Sequence, residues 1–160
     1  MIIIVESGST KADWILLNGD GSERKRWNLM GFNPYFHSSA TVEEALSSHH
    51  EIPQYAQDVE QVWFYGAGCS SDKLNAVIGK GLKRVFTRAS IHVDHDLKAA
   101  AYATYAGQPH IACILGTGSN SCFFDGQTIR EEVPALAYVL GDEGSASYIG
   151  KRLVADFIYG

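Results

Sequence analysis

The chain has 160 residues, 46% of them apolar, and its 18 acidic side chains against 13 Lys and Arg give a net charge of −5. That apolar content supports a packed core and excludes a disordered chain. The acidic balance excludes the clustered Lys/Arg surface that nucleic acids and anionic membranes reward, and the short run Arg24-Lys25-Arg26 reads as a solvated strand edge.

Residues 2–5, Ile-Ile-Ile-Val, are a β-branched run that predicts a buried strand. The run breaks at Glu6 and has no basic segment before it, so it does not read as a signal peptide. Ser7-Gly8-Ser9-Thr10 predicts a turn, Ala12 to Leu17 a second strand, Asn18-Gly19-Asp20-Gly21 a hairpin, and residues 23–29 a third strand. After the loop Gly31-Phe32-Asn33-Pro34, Thr41 and Glu44 form a capping box that predicts a helix over 41–50. A strand over 59–65 ends at Gly66-Ala67-Gly68. Ser71 and Asp72 cap a helix to about Phe86, and Ile91 and Val93 mark a short strand running into Asp94-His95-Asp96. An alanine-rich helix follows, ending at Gly107. The order βββαβαβα is that of an RNase H-like α/β domain with a mixed sheet.

The pattern then restarts. His110 to Leu115 predicts a strand, Gly116-Thr117-Gly118-Ser119 a turn, Cys122 to Phe124 a strand, Asp125-Gly126 a hairpin and Thr128 to Val133 another strand; Gly141 to Ser145 leads into a helix through Phe157. A shift of 110 residues lays Ser7-Gly8-Ser9 on Thr117-Gly118-Ser119 and Trp14 on Phe124. The repeat predicts a duplicated fold, with one domain over 1–108 and the start of a second, incomplete one over 109–160.

Tight turns of small residues present backbone N–H groups to an anion. Two of them, on related domains, are expected to hold a polyphosphate, with the hydroxyls of Ser9, Thr10, Thr117 and Ser119 adding donors and Lys11 adding charge. Glu6, beside the first turn, suits a hydrated Mg²⁺ as well as it suits a strand-end acid in solvent. Asp94 and Asp96 end a strand where ligands gather in open α/β sheets. Asp96 is a candidate proton acceptor for phosphoryl transfer and equally a helix N-cap. His92, Asp94, His95 and Asp96 alternate faces on a strand, so they are not expected to converge on one metal. Asp142 and Glu143, ahead of a helix, fit capping, sugar binding or Mg²⁺ positioning. Cys69, Cys113 and Cys122 have neither metal nor disulfide-framework spacing, which favours a reducing cytoplasm.

Glu6-Ser-Gly-Ser-Thr-Lys-Ala-Asp-Trp14, Gly31-Phe-Asn-Pro34, Val93-Asp-His-Asp96, Gly116-Thr-Gly-Ser-Asn120 and Gly141-Asp-Glu-Gly-Ser-Ala146 stand in the order found in a known family. The chain resembles the BadF/BadG/BcrA/BcrD-type ATPases, and among them the N-acetylglucosamine kinases of the actin-like (sugar kinase/Hsp70) superfamily. The resemblance implies ATP and Mg²⁺ as cofactors and an amino sugar as substrate, with homodimerisation left open. It makes Ser7, Gly8, Ser9, Thr10 and Lys11 the first phosphate loop and Gly116, Thr117, Gly118, Ser119 and Asn120 the second. It makes Asp96 the catalytic base for the sugar 6-hydroxyl and Glu6 the metal residue. Asn33 and Asp142 become sugar ligands, with Gly66, Ala67 and Gly68 lining the pocket and Glu143 assisting. It also implies that 160 residues alone are inactive, the adenosine pocket lying further on. Two readings of the same fold stay open: an ATPase that activates a radical dehydratase, and a sugar sensor without turnover.

Overall fold

Alternating burial builds the first sheet of the computed structural model, which describes residues 1–131 and 135–160. Strand β1 (Ile2–Ser7) buries Ile3, Val5 and Ser7, and β2 (Lys11–Leu17) buries Ala12, Trp14 and Leu16. Next come β3 (Glu23–Met30), β4 (Gln61–Gly66) and β5 (Ser90–His95). β1 runs antiparallel to β2 and parallel to β4, giving the order β3-β2-β1-β4-β5. This is the predicted mixed sheet, and the carboxyl ends of β1, β4 and β5 share one edge.

Three helices belong to this unit: α1 (Ser39–Ser47), α2 (Ile52–Tyr55) and α3 (Asp72–Val85). α1 starts earlier than predicted. Ser38 is its N-cap, accepting from the Thr41 amide at 3.2 Å, so the hydroxyl of Thr41 does not open the helix. The one-turn α2, with Pro53 in its first turn, was not foreseen. α3 is capped by Ser71 as expected and carries Asp72 in its first turn and Lys83 and Arg84 in its last, matching the helix dipole. Trp14 is fully buried at the centre of the core, edge-on to Phe32 and Phe64 with ring centroids 6.4 Å away in both pairs. Burial of each such side chain contributes about 1.5–3 kcal/mol.

By packing, the chain forms two units, Met1–Asp96 and Leu97–Gly160. Helix α4 (Asp96–Thr104) begins at Asp96, and its Leu97 and Ala101 join Ala112, Cys122 and Phe124 in a second apolar cluster. The second sheet has the order β6 (His110–Leu115), β7 (Ser119–Phe124) and β8 (Ile129–Arg130). The prediction of the last strand extended over residues 132 and 133, which lie outside the described residues. β7 starts at Ser119 rather than Cys122, because the polar stretch Ser119-Asn120-Ser121 still pairs with Cys113-Ile114-Leu115. The short α5 (Ala137–Leu140) was not foreseen, and α6 (Ala146–Tyr159) is capped by Ser145.

Both units contain an antiparallel hairpin around a Gly-Ser turn, but the 110-residue offset does not superimpose them. The first hairpin closes at Ser7↔Ala12 around residues 8–11, whereas the second closes at Leu115↔Ser119 around residues 116–118.

Candidate functional site

Strand register lines up three carboxylates. Glu6 pairs with Asp13 on one side and Tyr65 on the other, and Tyr65 pairs with Asp94. The row Asp13–Glu6–Tyr65–Asp94 therefore crosses four strands on the face opposite Val5, Trp14 and Phe64. Burial is the main cause that holds the Glu6 carboxyl above its ordinary value; the Asp96 and Asp13 carboxylates add to it and Lys11 opposes it. A hard cation would relieve that repulsion, and the donors are the oxygens Mg²⁺ prefers. Among the described residues no group of three or more His, Cys, Asp or Glu is arranged to hold a metal ion.

This crowding has a consequence for stability. A carboxyl raised in the folded state favours folding below its unfolded value, and that contribution is lost as pH rises through the folded value. Glu6→Gln should therefore raise the melting temperature at pH 7, with the gain shrinking as the pH falls through the carboxylate range. Thermal unfolding at pH 4 and pH 7 checks this.

The first turn is held by its neighbours. Ser7 is fully buried, and its hydroxyl accepts from the Phe32 amide at 2.9 Å, so this side chain ties the turn to the 31–34 loop. Gly31 donates to the Thr10 carbonyl at 3.0 Å. A Cβ on Gly31 would lie 2.1 Å from the Gly8 carbonyl oxygen, so only glycine allows this approach. Ser9, Thr10 and Lys11 remain exposed. The Asn33 side chain bridges the elements: its Nδ2 donates to Ser9 Oγ at 3.2 Å, and its Oδ1 accepts from the Tyr35 amide at 3.0 Å. Gly68, at φ +81°, approaches so closely that a Cβ would lie 2.6 Å from Asn33 Oδ1. The Ala67 amide donates to the Ser7 carbonyl at 2.8 Å. Gly8, Ser9, Asn33 and the 66–68 loop thus form one surface at the carboxyl end of β1 and β4.

Asp96 opens α4 where β5 ends, at the same sheet edge. Its Oδ1 lies 3.2 Å from His95 Nδ1, a nitrogen shut from solvent that makes no aligned hydrogen bond. Cys69 is buried nearby. Burial, with the Asp96 and Asp94 charges behind it, pushes its thiol up to about 12.

The second unit builds its own turn. The Gly116 amide donates to the Gly118 carbonyl at 2.9 Å. Ala146 and Ser147, at the start of α6, donate to the Gly116 and Thr117 carbonyls at 2.9 and 3.3 Å. Asp142 sits in the left-handed region at φ +60°, and its Oδ1 accepts from the Ser119 amide at 3.3 Å. A Cβ on Gly118 would lie 3.0 Å from Asp142 Oδ2. Glu143 is exposed, and a cleft of about 330 Å³ lies beside Ser119, Asn120, Asp142 and Glu143.

Sequence reasoning gave Asp13 and Gly31 no role of their own, and weighed His95 only within a metal set that it set aside. Asp13 was recoverable from hairpin arithmetic, since a strand pair closing at Ser7↔Ala12 sets Glu6 opposite Asp13. The close approach of Gly31 to the turn carries no local signal.

No protein-family model matches the chain, and no curated protein does. Solved structures do. A candidate N-acetylglucosamine kinase from Porphyromonas gingivalis matches all of this chain at 38% identity with a TM-score of 0.92. The chain spans 57% of that protein's length. A candidate N-acetylglucosamine kinase from Chromobacterium violaceum is 19% identical, with a TM-score of 0.64 over 96% of this chain and 55% of its own. A ROK family glucokinase from Streptomyces griseus, solved with glucose and AMPPNP, is 20% identical, with a TM-score of 0.54 over 84% of this chain and 48% of its own. The mixed α/β architecture described above is therefore that of sugar kinases of the actin-like ATPase fold.

Proposed function

We propose that this chain is the phosphate-handling part of an ATP-dependent sugar kinase, which transfers the γ-phosphoryl group of ATP to the 6-hydroxyl of N-acetylglucosamine or a related amino sugar. The observation that carries this reading is the meeting of Asp96, the 8–11 turn and the Asn33–Gly68 surface at one sheet edge. The likeness to the P. gingivalis protein supports it and favours N-acetylglucosamine. Membership of the BadF/BadG/BcrA/BcrD-type ATPases and an origin by duplication, with domains over 1–108 and 109–160, belong to the same proposal.

Phosphoryl transfer demands positioning, charge neutralisation and a proton acceptor. Asp96 orients the sugar hydroxyl and takes its proton as the new O–P bond forms and the bond to the ADP oxygen breaks. The amides and hydroxyls of Gly8 to Thr10, with Lys11, meet phosphate oxygens in the first unit, and those of Gly116 to Asn120 do so in the second. Ser7 serves by tying its turn in place. Bound Mg²⁺ would neutralise phosphate charge, and Glu6 is the residue to hold it, through water. Asn33 and the 66–68 loop contact the sugar. A cytoplasmic setting, with no nucleic-acid or membrane partner, accompanies this reading; among the described residues no helix is long and apolar enough to cross a membrane.

Coupled ADP release by a protein that carries this chain together with the rest of the kinase fold, measured with glucose, glucosamine and N-acetylglucosamine, tests the proposal. Turnover that depends on N-acetylglucosamine supports it, and ADP release indifferent to all three sugars defeats it. The dehydratase-activator reading gains nothing from Cys69, which is buried in the first unit's core and belongs to no group of three or more His, Cys, Asp or Glu arranged to hold a metal among the described residues.

Asp142 can be assigned by kinetics. The resemblance makes it a sugar ligand, yet its carboxylate accepts from the Ser119 amide inside the second turn. We assign it to hold that turn. Asp142→Asn should then raise the KM for ATP several-fold and leave the KM for the sugar within about twofold, on the scale of one charge-assisted hydrogen bond. The opposite split would restore the sugar-ligand role.

A further inference from the structure

The far edge of the first sheet offers a second binding surface. β5 is the end strand of the order β3-β2-β1-β4-β5, and only its inner edge is paired, with β4. Among the described residues no strand covers its outer edge. Beside it runs an open cleft of about 620 Å³ between α3 and residues 88–93.

The floor of this cleft contains a glycine that packing does not require. Gly79 lies inside α3, where glycine weakens a helix relative to alanine. A Cβ there would meet Val93 Cγ2 at 3.6 Å and Ile91 Cγ2 at 3.9 Å, both ordinary contacts. Two residues on, Gly81 is different: its Cβ would lie 2.6 Å from Val42 Cβ, so α1 demands a glycine. At position 79 alanine would fit and strengthen the helix. What glycine provides there is open space above Ile91 and Val93.

Two further observations describe the occupant. Asn75, on the same wall, has a side-chain oxygen shut from solvent without a hydrogen-bond partner, which a turn of its amide toward the cleft would offer to an incoming N–H. Three cations line the cleft, Lys80, Lys83 and Arg88, against the single acid Asp72, on a chain whose net charge is −5. Lys80, Lys83 and Arg88 are all exposed, and Lys83 is committed to the Ala89 carbonyl at 2.7 Å. An unpaired edge with an apolar floor and a cationic rim recognises an extended strand carrying alternate apolar and acidic side chains.

We propose that the outer edge of β5 and the α3 cleft form a docking site for an acidic, extended peptide segment of a partner protein, which adds to the sheet as a sixth strand. The site shares no residue with the phosphate turns or with Asp96, so it stands independently of the kinase reading.

The test uses two blocked peptides, one alternating Glu and Val and the other Lys and Val, titrated into isotopically labelled protein. The expected result is amide shifts at residues 79 and 90–93 with the Glu peptide alone. Joint replacement by Lys80→Glu and Arg88→Glu should weaken that binding at least tenfold, and Gly79→Leu should abolish it. Gly79→Ala is the folding control and should raise the melting temperature by about 2–4 °C. Equal binding of both peptides, or of neither, overturns the proposal. A concentration-dependent dimer in sedimentation analysis that Gly79→Leu dissolves also overturns it, since a second copy would then be the occupant.

Discussion

Asp96→Asn should lower sugar-dependent ADP release by about 10²–10⁴-fold, the range for losing one general base. The substitution is a clean one. Asn keeps the shape of Asp, and losing one acid from the first turn costs a helix only about 0.3–1 kcal/mol, so α4 should still begin where β5 ends. What is lost is the ability to take a proton, together with the negative charge that faces His95, Glu6 and Cys69. KM values for ATP and sugar should therefore change little while kcat falls, because the interaction removed belongs to the transition state. A variant that kept most of its turnover would sink the assignment of Asp96. The base would then have to be sought elsewhere at the same edge, with Asp94 first.

The second large effect falls on a residue outside the first turn. Gly31→Ala would place a Cβ 2.1 Å from the Gly8 carbonyl oxygen, 2.8 Å from the Ser9 carbonyl carbon and 2.9 Å from the Thr10 amide nitrogen. All three are backbone atoms, so no side chain can rotate away, and the first turn itself must shift. Overpacking of this kind costs about 1–3 kcal/mol or more. Gly8→Ala, inside the motif, meets nothing nearer than the Lys11 carbonyl oxygen at 3.5 Å. Calorimetric unfolding should therefore show Gly31→Ala as clearly less stable than Gly8→Ala, and nucleotide affinity should fall further in Gly31→Ala. Equal melting temperatures would mean that the loop around Gly31 yields freely and does not support the turn.

Much of the first unit was legible because its signals are local. Period-2 burial in β1 and β2, the Asn18–Gly21 turn and the Ser71 cap each follow from a few neighbouring residues. The order of strands and helices then admits few topologies. What escaped depends on residues distant in the chain or on competition between equivalent signals. Ser38 and Thr41 are both competent caps, and the choice between them follows from where the preceding loop lets the helix begin. The polar start of β7 looks like loop until its partner strand is known.

The candidate site divides along the same line. Asp96 at a strand end and the Gly-Ser turns were readable from type and position. The occupation of Ser7 by Phe32, and of Asp142 by the Ser119 amide, was not, since a hydroxyl or a carboxylate in a motif looks the same whether it faces a ligand or the protein. The 110-residue repeat shows the same limit of motif matching. It matched the dipeptides, while the hairpins around them close with loops of different length.

Cys69 offers a natural reporter of motion at this edge. Its sulfur is enclosed beside Gly66, and its thiol stays protonated far above neutral pH. An alkylating reagent can reach it only during transient opening of the 66–70 segment. The labelling rate of Cys69 thus measures how often that segment breathes, and a ligand that clamps the segment should slow it in proportion to its occupancy.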